Sequence, residues 1–527
     1  MLRKFVRRTS VRHFGALTSR PYAFTARPWD LSKTETIDCL DGLGAHITIH
    51  SKGGEVMRVV PRPFEEINED WLNDKSRFSY DGLKRQRLTQ PLTRSPVDPS
   101  QWTQMDRSWR TAFKRIQSNF SASGPVRAIM GPSVDLNSAL CLSDWVHSFQ
   151  LGSVESTGSV GGTLGRDIPS QFRFNTGIQN LENSDFCVVI GSNLMEEAPL
   201  LVSRLRSVFL RDTLEVVNLG PPTDFTFPVS QLGVTAKTLV EMAEGRHPVC
   251  AKLATAQRPS LVIGSQVFER DDGMALASCI ETIACYSGKL RQFSTETGEC
   301  IWDGINVLHH NANDVGLLEL GLANPINKSE RTDGGTLFLM GVNEDDLPVP
   351  LEELAGPTTQ VVYIGHHGDQ LAAKASVVLA GGAFSEKNGT YINTEGRSQY
   401  ARNATTPPVD AREDWKIIRA LSEAVGDNTL PFESERDIQT RLELLVPSIA
   451  DRGDIVQSTP PATMFASNFG ILSSKLCGGQ SVDCTPFDTQ IHDFYLEGNV
   501  IAKSSQSMAK ASAELGIDRS NFLQFSH

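Results

Sequence analysis

Six short apolar-rich runs, each closed by a glycine, constrain this chain more than any other feature. They occupy residues 126–130 before Gly131, 186–190 before Gly191, 214–219 before Gly220, 261–263 before Gly264, 337–340 before Gly341 and 361–364 before Gly365. A run that is apolar at consecutive rather than alternate positions suits a strand buried on both faces, as in parallel sheets covered by helices. The intervals carry helical patterns. Asp135 is placed to cap a helix with Leu136, Ala139, Leu140, Trp145 and Phe149 on one face. Residues 412–425 set Trp415, Ile418, Leu421 and Val425 on one stripe, with Gly426 beyond the end. The repeat predicts an α/β fold of doubly wound, mostly parallel sheets, two in number.

The stretch 360–399 concentrates these signals. Residues 361–364 and 377–379 read as buried strands, and the polar run 386–399 holds turn positions at Asn388-Gly389, Asn393 and Gly396. That run is too polar for a core. It is expected to be an ordered, hydrogen-bonded loop at the carboxyl edge of the sheet, where open α/β folds meet their ligands.

Alternation over residues 36–60, with a turn at Gly53-Gly54, predicts a small antiparallel unit with a hairpin. Residues 71–94 are basic and loop-rich, with Trp71, Phe78, Tyr80 and Leu83 as apolar anchors on a core. Beyond Pro431 the chain is polar, with Pro460-Pro461 and Gly478-Gly479, and reads as a tail that wraps. The expected division is residues 1–30 as a mitochondrial transit peptide, 31–124 as the small antiparallel unit with its basic loop region, 125–430 as α/β domain(s), and 431–527 as the wrapping tail. The transit-peptide reading rests on Arg3, Lys4, Arg7, Arg8, Arg12, Arg20 and Arg27, which accumulate before the first acidic residue, Asp30.

Without those seven, the 50 Lys and Arg fall to 43 against 62 Asp and Glu, a surface unsuited to nucleic acid. None of the nine cysteines forms a C-x-x-C pair, so zinc or iron–sulfur spacing is missing. No apolar run approaches the roughly 18 residues of a membrane helix. The glycines Gly158, Gly161, Gly162 and Gly165 do not fit a dinucleotide fingerprint, and no nucleophile elbow or H-E-x-x-H occurs. His309-His310 and His366-His367 lack a third ligand at fixed spacing and read as structural.

The motifs carry a resemblance. A-S-V-V-L at 375–379 followed by E-K-N-G-T-Y-I-N-T-E-G-R-S-Q at 386–399, V-V-I-G-S-N at 188–193 with Pro199 downstream, and R-L-T-Q-P-L at 87–92 resemble pterin-contacting segments of the molybdopterin oxidoreductase family. E-V-M-R-V-V-P-R at 55–62, residues 71–91, G-H-H-G-D at 365–369, D-W-K-I-I-R-A-L-S-E at 414–423, D-F-Y-L at 493–496 and S-S-Q-S-M-A-K at 504–510 are similar to the largest iron–sulfur subunits of mitochondrial complex I.

That resemblance makes Gly191, Ser192, Asn193, Gly389, Thr390, Asn393, Glu395, Gly396 and Arg397 vestigial pterin-loop positions. It puts Asp38, Asp41, Ala45 and Asn73 where the family has cluster-ligating cysteines, with Cys39 one residue out of register, so residues 31–124 would hold a degenerate iron–sulfur subdomain. It implies a structural, cofactor-free subunit without catalytic or metal-binding residues, peripheral on the matrix side of the inner membrane, in the matrix arm of NADH:ubiquinone oxidoreductase. The expected partners are other matrix-arm subunits, especially a separate polypeptide carrying the ferredoxin-like cluster domains, which this chain is expected to lack. The alternative is an active molybdopterin-dependent oxidoreductase. Its metal ligand would fall in residues 155–166, where cysteine is missing and neither Ser156 nor Ser159 stands out.

Overall fold

The structure, a computed structural model, describes residues 22–95, 102, 108–121, 123–157, 164, 167–211, 214–426, 428–450, 453, 482–489 and 491–515. Most of the basic amino-terminal segment, most of the glycine-rich 155–166 stretch and the Pro460-Pro461 and Gly478-Gly479 pairs lie outside the described residues.

The apolar runs build two parallel sheets, as their consecutive burial requires. One has six strands in the spatial order Leu92–Thr93, Val377–Ala380, Gln360–Gly365, Thr336–Met340, Val126–Met130 and Gly152–Ser156. Its neighbours are parallel except at the edge, where Leu92–Thr93 runs antiparallel to Val377–Ala380. The other is fully parallel, in the order Ile305–Leu308, Pro259–Gly264, Phe186–Ile190, Glu215–Leu219 and Ser230–Gly233. The two are not consecutive in sequence. The five-stranded sheet lies wholly within the connection between Gly152–Ser156 and Thr336–Met340, so the six-stranded sheet is completed only after the inserted unit.

Helix Leu136–Val146 fastens the six-stranded sheet. Asp135 caps it as expected, its carboxylate accepting from the Ser138 backbone N–H at 2.9 Å. Trp145, fully buried, meets Phe120, Phe149 and Phe338 with ring centroids 5.4–5.9 Å apart. Helix Asp414–Val425 ends at Gly426 with φ +86°, the left-handed cap that glycine tolerates best.

The amino-terminal unit has the antiparallel strands Ser32–Ile37, His46–Lys52 and Glu55–Pro61, with Gly53 and Gly54 both at positive φ in the hairpin turn. Of the anchors in 71–94, Tyr80 and Leu83 are buried, but Trp71 is 58% exposed. Residues Val500–Ser504 and Gln506–Leu515 are helical and pack on the 3-10 segment Ser79–Lys84.

The expectation that the polar run 386–399 is too polar for a core is overturned: it is ordered and hydrogen-bonded, but it contributes to the hairpin Gly389–Ile392 with Ser398–Ala401, buried almost throughout. Burial is tolerated because most of its polar groups are bonded to surrounding elements, Ser398 Oγ and Gln399 Oε1 being the exceptions among the described residues.

Candidate functional site

Chain order in the six-stranded sheet reverses between Val126–Met130 and Thr336–Met340, so the loops after these strands part and leave a crevice at their carboxyl ends. It narrows to a cavity of about 40 Å³ lined by Val134, Gly341, His366, Lys387, Cys39 and Asn499. That volume holds roughly three waters, far from a pterin.

Lys387 dominates its charge. Its ammonium lies 2.8 Å from Asp135 and also donates to Asp414, all three side chains being buried. Burial would lower the Lys387 pKa, but the two carboxylates raise it well above the ordinary lysine value. Asp414 is itself raised, by burial first, and its Oδ1 has no hydrogen-bond partner among the described residues. Burial, reinforced by Asp38, pushes the Cys39 thiol up, which removes it as a nucleophile. His367 is lowered to about 4 by burial, while its Nε2 meets the Gly82 carbonyl at 3.0 Å. The crevice therefore presents a fixed ion-pair set and neutral imidazoles.

The positions assigned to a pterin divide into two groups. Residues 389–397 form the hub of the molecule. The Thr390 N–H donates to Asn137 (3.0 Å) and its hydroxyl to Gln439 (3.0 Å). Asn393 Nδ2 donates to the Leu43 carbonyl (2.9 Å), and its Oδ1 accepts from the Arg397 N–H (2.9 Å). Glu395 accepts from the Ile178 N–H (2.8 Å) and from Arg397 Nε (2.8 Å), and Arg397 also donates to Glu66 and the Gly453 carbonyl. Gly389 and Gly396 allow close approach: a Cβ there would come 2.7 Å from Asp135 and 2.6 Å from Arg173. Gly191, Ser192 and Asn193 lie apart, at the end of Phe186–Ile190, where Ser192 donates to buried Glu197. Among the described residues no hydrogen bond joins them to the 389–397 loop. A pterin fits neither the hub, whose donors and acceptors are engaged within the chain, nor the crevice, which is too small; in the second group the buried Asn193 Oδ1 has no hydrogen-bond partner among the described residues.

The four cluster-ligand positions, in contrast, do converge. The Asp38 N–H donates to the Ala45 carbonyl at 2.8 Å, Asn73 Nδ2 donates to Asp41 at 2.8 Å, and Asn73 Oδ1 caps helix Asp74–Phe78 by accepting from the Ser76 N–H at 2.7 Å. The Ser76 hydroxyl donates to Asp38. Burial and then the Asp41 carboxylate raise Asp38 to about 7. A cluster does not fit this donor set, since Ala45 has no donor atom and Asn73 directs an amide N–H at Asp41.

Sequence reasoning missed Lys75. It is 3% exposed, donates to the Glu497 carbonyl at 3.1 Å and lies 4.9 Å from the Phe494 ring centroid. Burial lowers it to about 8, offset by Asp41 and Asp38. Nearby His310 is buried and lowered to about 3, by burial first and then by Lys75. Local sequence carries no signal for Lys75, whereas the His309-His310 pair stands out in it and reads as structural.

A molybdopterin oxidoreductase family profile matches residues 87–424, and one described as NADH-ubiquinone oxidoreductase NDSU1/NuoG-like, 4Fe-4S domain, matches residues 31–81. The second match places one iron–sulfur-type domain at 31–81, inside the 31–124 region expected to hold a degenerate iron–sulfur subdomain, and gives no support to the expectation that the amino-terminal cluster domains are lacking. The chain is 35% identical to the NADH-ubiquinone oxidoreductase 75 kDa subunit of Reclinomonas americana, over 95% of this chain and 71% of that one. It is 38% identical to the mitochondrial 78 kDa subunit of Candida albicans, over 95% and 67%. It is 37% identical to the mitochondrial NADH dehydrogenase (ubiquinone) iron-sulfur protein 1 of Solanum tuberosum, over 95% and 64%. The chain thus spans about two thirds of the length of these relatives. Among solved structures, acetylene hydratase from Pelobacter acetylenicus shares the fold, with a TM-score of 0.51 at 13% identity over 80% of this chain and 72% of that one. The chain therefore belongs to the family of NADH-ubiquinone oxidoreductase 75/78 kDa subunits, built on the molybdopterin oxidoreductase fold.

Proposed function

We propose that the chain is a structural subunit of NADH:ubiquinone oxidoreductase that holds no redox group of its own. It packs in the matrix arm, on the matrix side of the mitochondrial inner membrane, beside a separate polypeptide carrying the ferredoxin-like iron–sulfur domains. The observation that carries this reading is the engagement of the former cofactor positions: Asp38, Asp41 and Asn73 bond within one network, and Asn393, Glu395 and Arg397 within another. Electron transfer from NADH to ubiquinone is then work of neighbouring subunits, which this chain holds in place. The relatives' names and the acid-free basic amino terminus support the mitochondrial setting. Among the described residues no helix is long and apolar enough to cross a membrane.

The surface that residues 71–94 offer to partners is narrow. Tyr80 is buried, and Arg87 makes a two-pronged ion pair with Glu386 at 2.6 Å. Trp71, Lys84 and Arg85 remain exposed. The test is to tag the chain, isolate mitochondrial complexes on native gels and measure metal. Co-migration with NADH-oxidising activity is expected, without stoichiometric iron or molybdenum in the purified chain. Molybdenum or tungsten at one atom per chain would overturn it in favour of an active molybdopterin enzyme.

A further inference from the structure

In the 31–81 domain the loop at residues 38–45 faces helix Asp74–Phe78, and each side is held by the other's side chains. Asp38 accepts from the Ser76 hydroxyl, Asp41 accepts from Asn73, and Asn73 caps the helix. The loop is also closely packed. A Cβ on Gly42 would come 2.1 Å from the His309 carbonyl oxygen, and one on Gly44 would come 2.1 Å from Gln399 Oε1. Leu43 and Ala45 are fully buried.

From this helix Lys75 turns into the carboxyl-terminal segment. It donates to the Glu497 carbonyl and lies over Phe494. One residue group further on, Asp81 accepts from the Ser507 N–H and hydroxyl, both at 3.0 Å, and a Cβ on Gly82 would come 2.0 Å from the Ile501 carbonyl oxygen. Ahead of that segment, the Thr489 hydroxyl donates at 3.1 Å to Glu197, at the end of helix Leu194–Glu197 that follows strand Phe186–Ile190 of the inserted unit.

We propose that these contacts are a metal-independent lock: the Asp38–Ser76 and Asp41–Asn73 pairs close the loop on the helix, and Lys75 fastens the closed unit to residues 491–515. A metal site awaiting iron would aim lone pairs at a common point. Here the amide of Asn73 aims hydrogens, Ala45 offers a methyl group, and the ammonium of Lys75 brings a positive charge into the same neighbourhood, which opposes an iron cation. In small metal domains the ligand bonds themselves supply folding free energy. In this chain side-chain bonds replace them, and they extend to a segment more than 400 positions away.

The inference rests on the cofactor-free reading, and its test separates the two. The full chain is melted with and without an iron chelator, alongside Asn73→Ala and Lys75→Met, with limited proteolysis of residues 491–515. The chelator is expected to leave the midpoint unchanged. Asn73→Ala should lower it by about 2–4 °C, from a lost cap and an unpaired buried carboxylate. Lys75→Met should release the 491–515 segment to protease before global melting. If Lys75→Met does not fold, adding Asp41→Asn should restore folding. A midpoint that falls on chelation overturns the lock, as does unchanged stability and protease resistance in both variants. Iron found in the chain together with a chelator-insensitive midpoint would sink the cofactor-free reading while leaving the lock standing.

Discussion

Lys387 carries the largest single-residue consequence. Its ammonium compensates Asp135 and Asp414 inside the crevice, so Lys387→Met leaves two buried carboxylates without their cation. A loss of about 3–5 kcal/mol is expected in denaturant unfolding, with partial recovery on adding Asp414→Asn. His367 gives a pH signature. Its folded pKa of about 4 is below the unfolded value near 6.5, because burial favours the neutral ring. Its contribution is therefore full above pH 6.5 and is lost as pH falls from 6.5 to 4, by roughly 3 kcal/mol at most. His367→Gln, which retains a donor toward Gly82, should lose less stability than the parent between pH 7 and 4. An equal loss would remove His367 from the account. At this scale the sequence reveals caps, such as Asp135 before Leu136, because the cap and its helix are adjacent. It hides Lys75 and Lys387, since each reads locally as a solvated charge and is buried by segments hundreds of positions distant.

At the level of elements, the strands were the most legible part. Consecutive burial in Phe186–Ile190 or Thr336–Met340 leaves a direct trace in residue type, as does the stripe of Trp415, Ile418 and Leu421 on its helix. The short strands Gly152–Ser156 and Ser230–Gly233 leave little trace, because few of their residues are apolar. The 389–401 hairpin escapes sequence reading for a different reason: many of its polar groups are satisfied from outside the segment, by Asn137, Leu43, Ile178 and Gln439. Composition alone cannot distinguish such a buried hub from a surface loop. Gly396 tests the hub. It has φ +84°, and a Cβ there would press on Arg173, which an ion pair to Glu319 holds in place. Gly396→Ala should cost about 2 kcal/mol or more from left-handed strain and displacement. A midpoint equal to the parent's would show that the hub tolerates repacking.

For the whole molecule, the insertion of one parallel sheet within another sets how parts communicate. Residues 389–397 touch the amino-terminal unit through Leu43, the first helix of the six-stranded sheet through Asn137, and the five-stranded sheet through Thr394, whose hydroxyl donates to Val307. A hub so connected fits the scaffold role proposed above. On that reading its contribution to an assembly comes from surface, and the amino-terminal unit exposes Trp71 near Lys84 and Arg85 in sequence. Exposed aromatic and basic residues are disproportionately the anchors of protein interfaces, and truncating one such anchor costs binding rather than folding. Trp71→Ala with Lys84→Glu and Arg85→Glu should therefore leave the melting midpoint of the isolated chain within about 2 °C. In mitochondria the same variant should accumulate outside the NADH-oxidising assembly and be degraded faster. Full incorporation of the variant would place the partner surface elsewhere, whereas a collapsed midpoint would show that these side chains serve the fold itself.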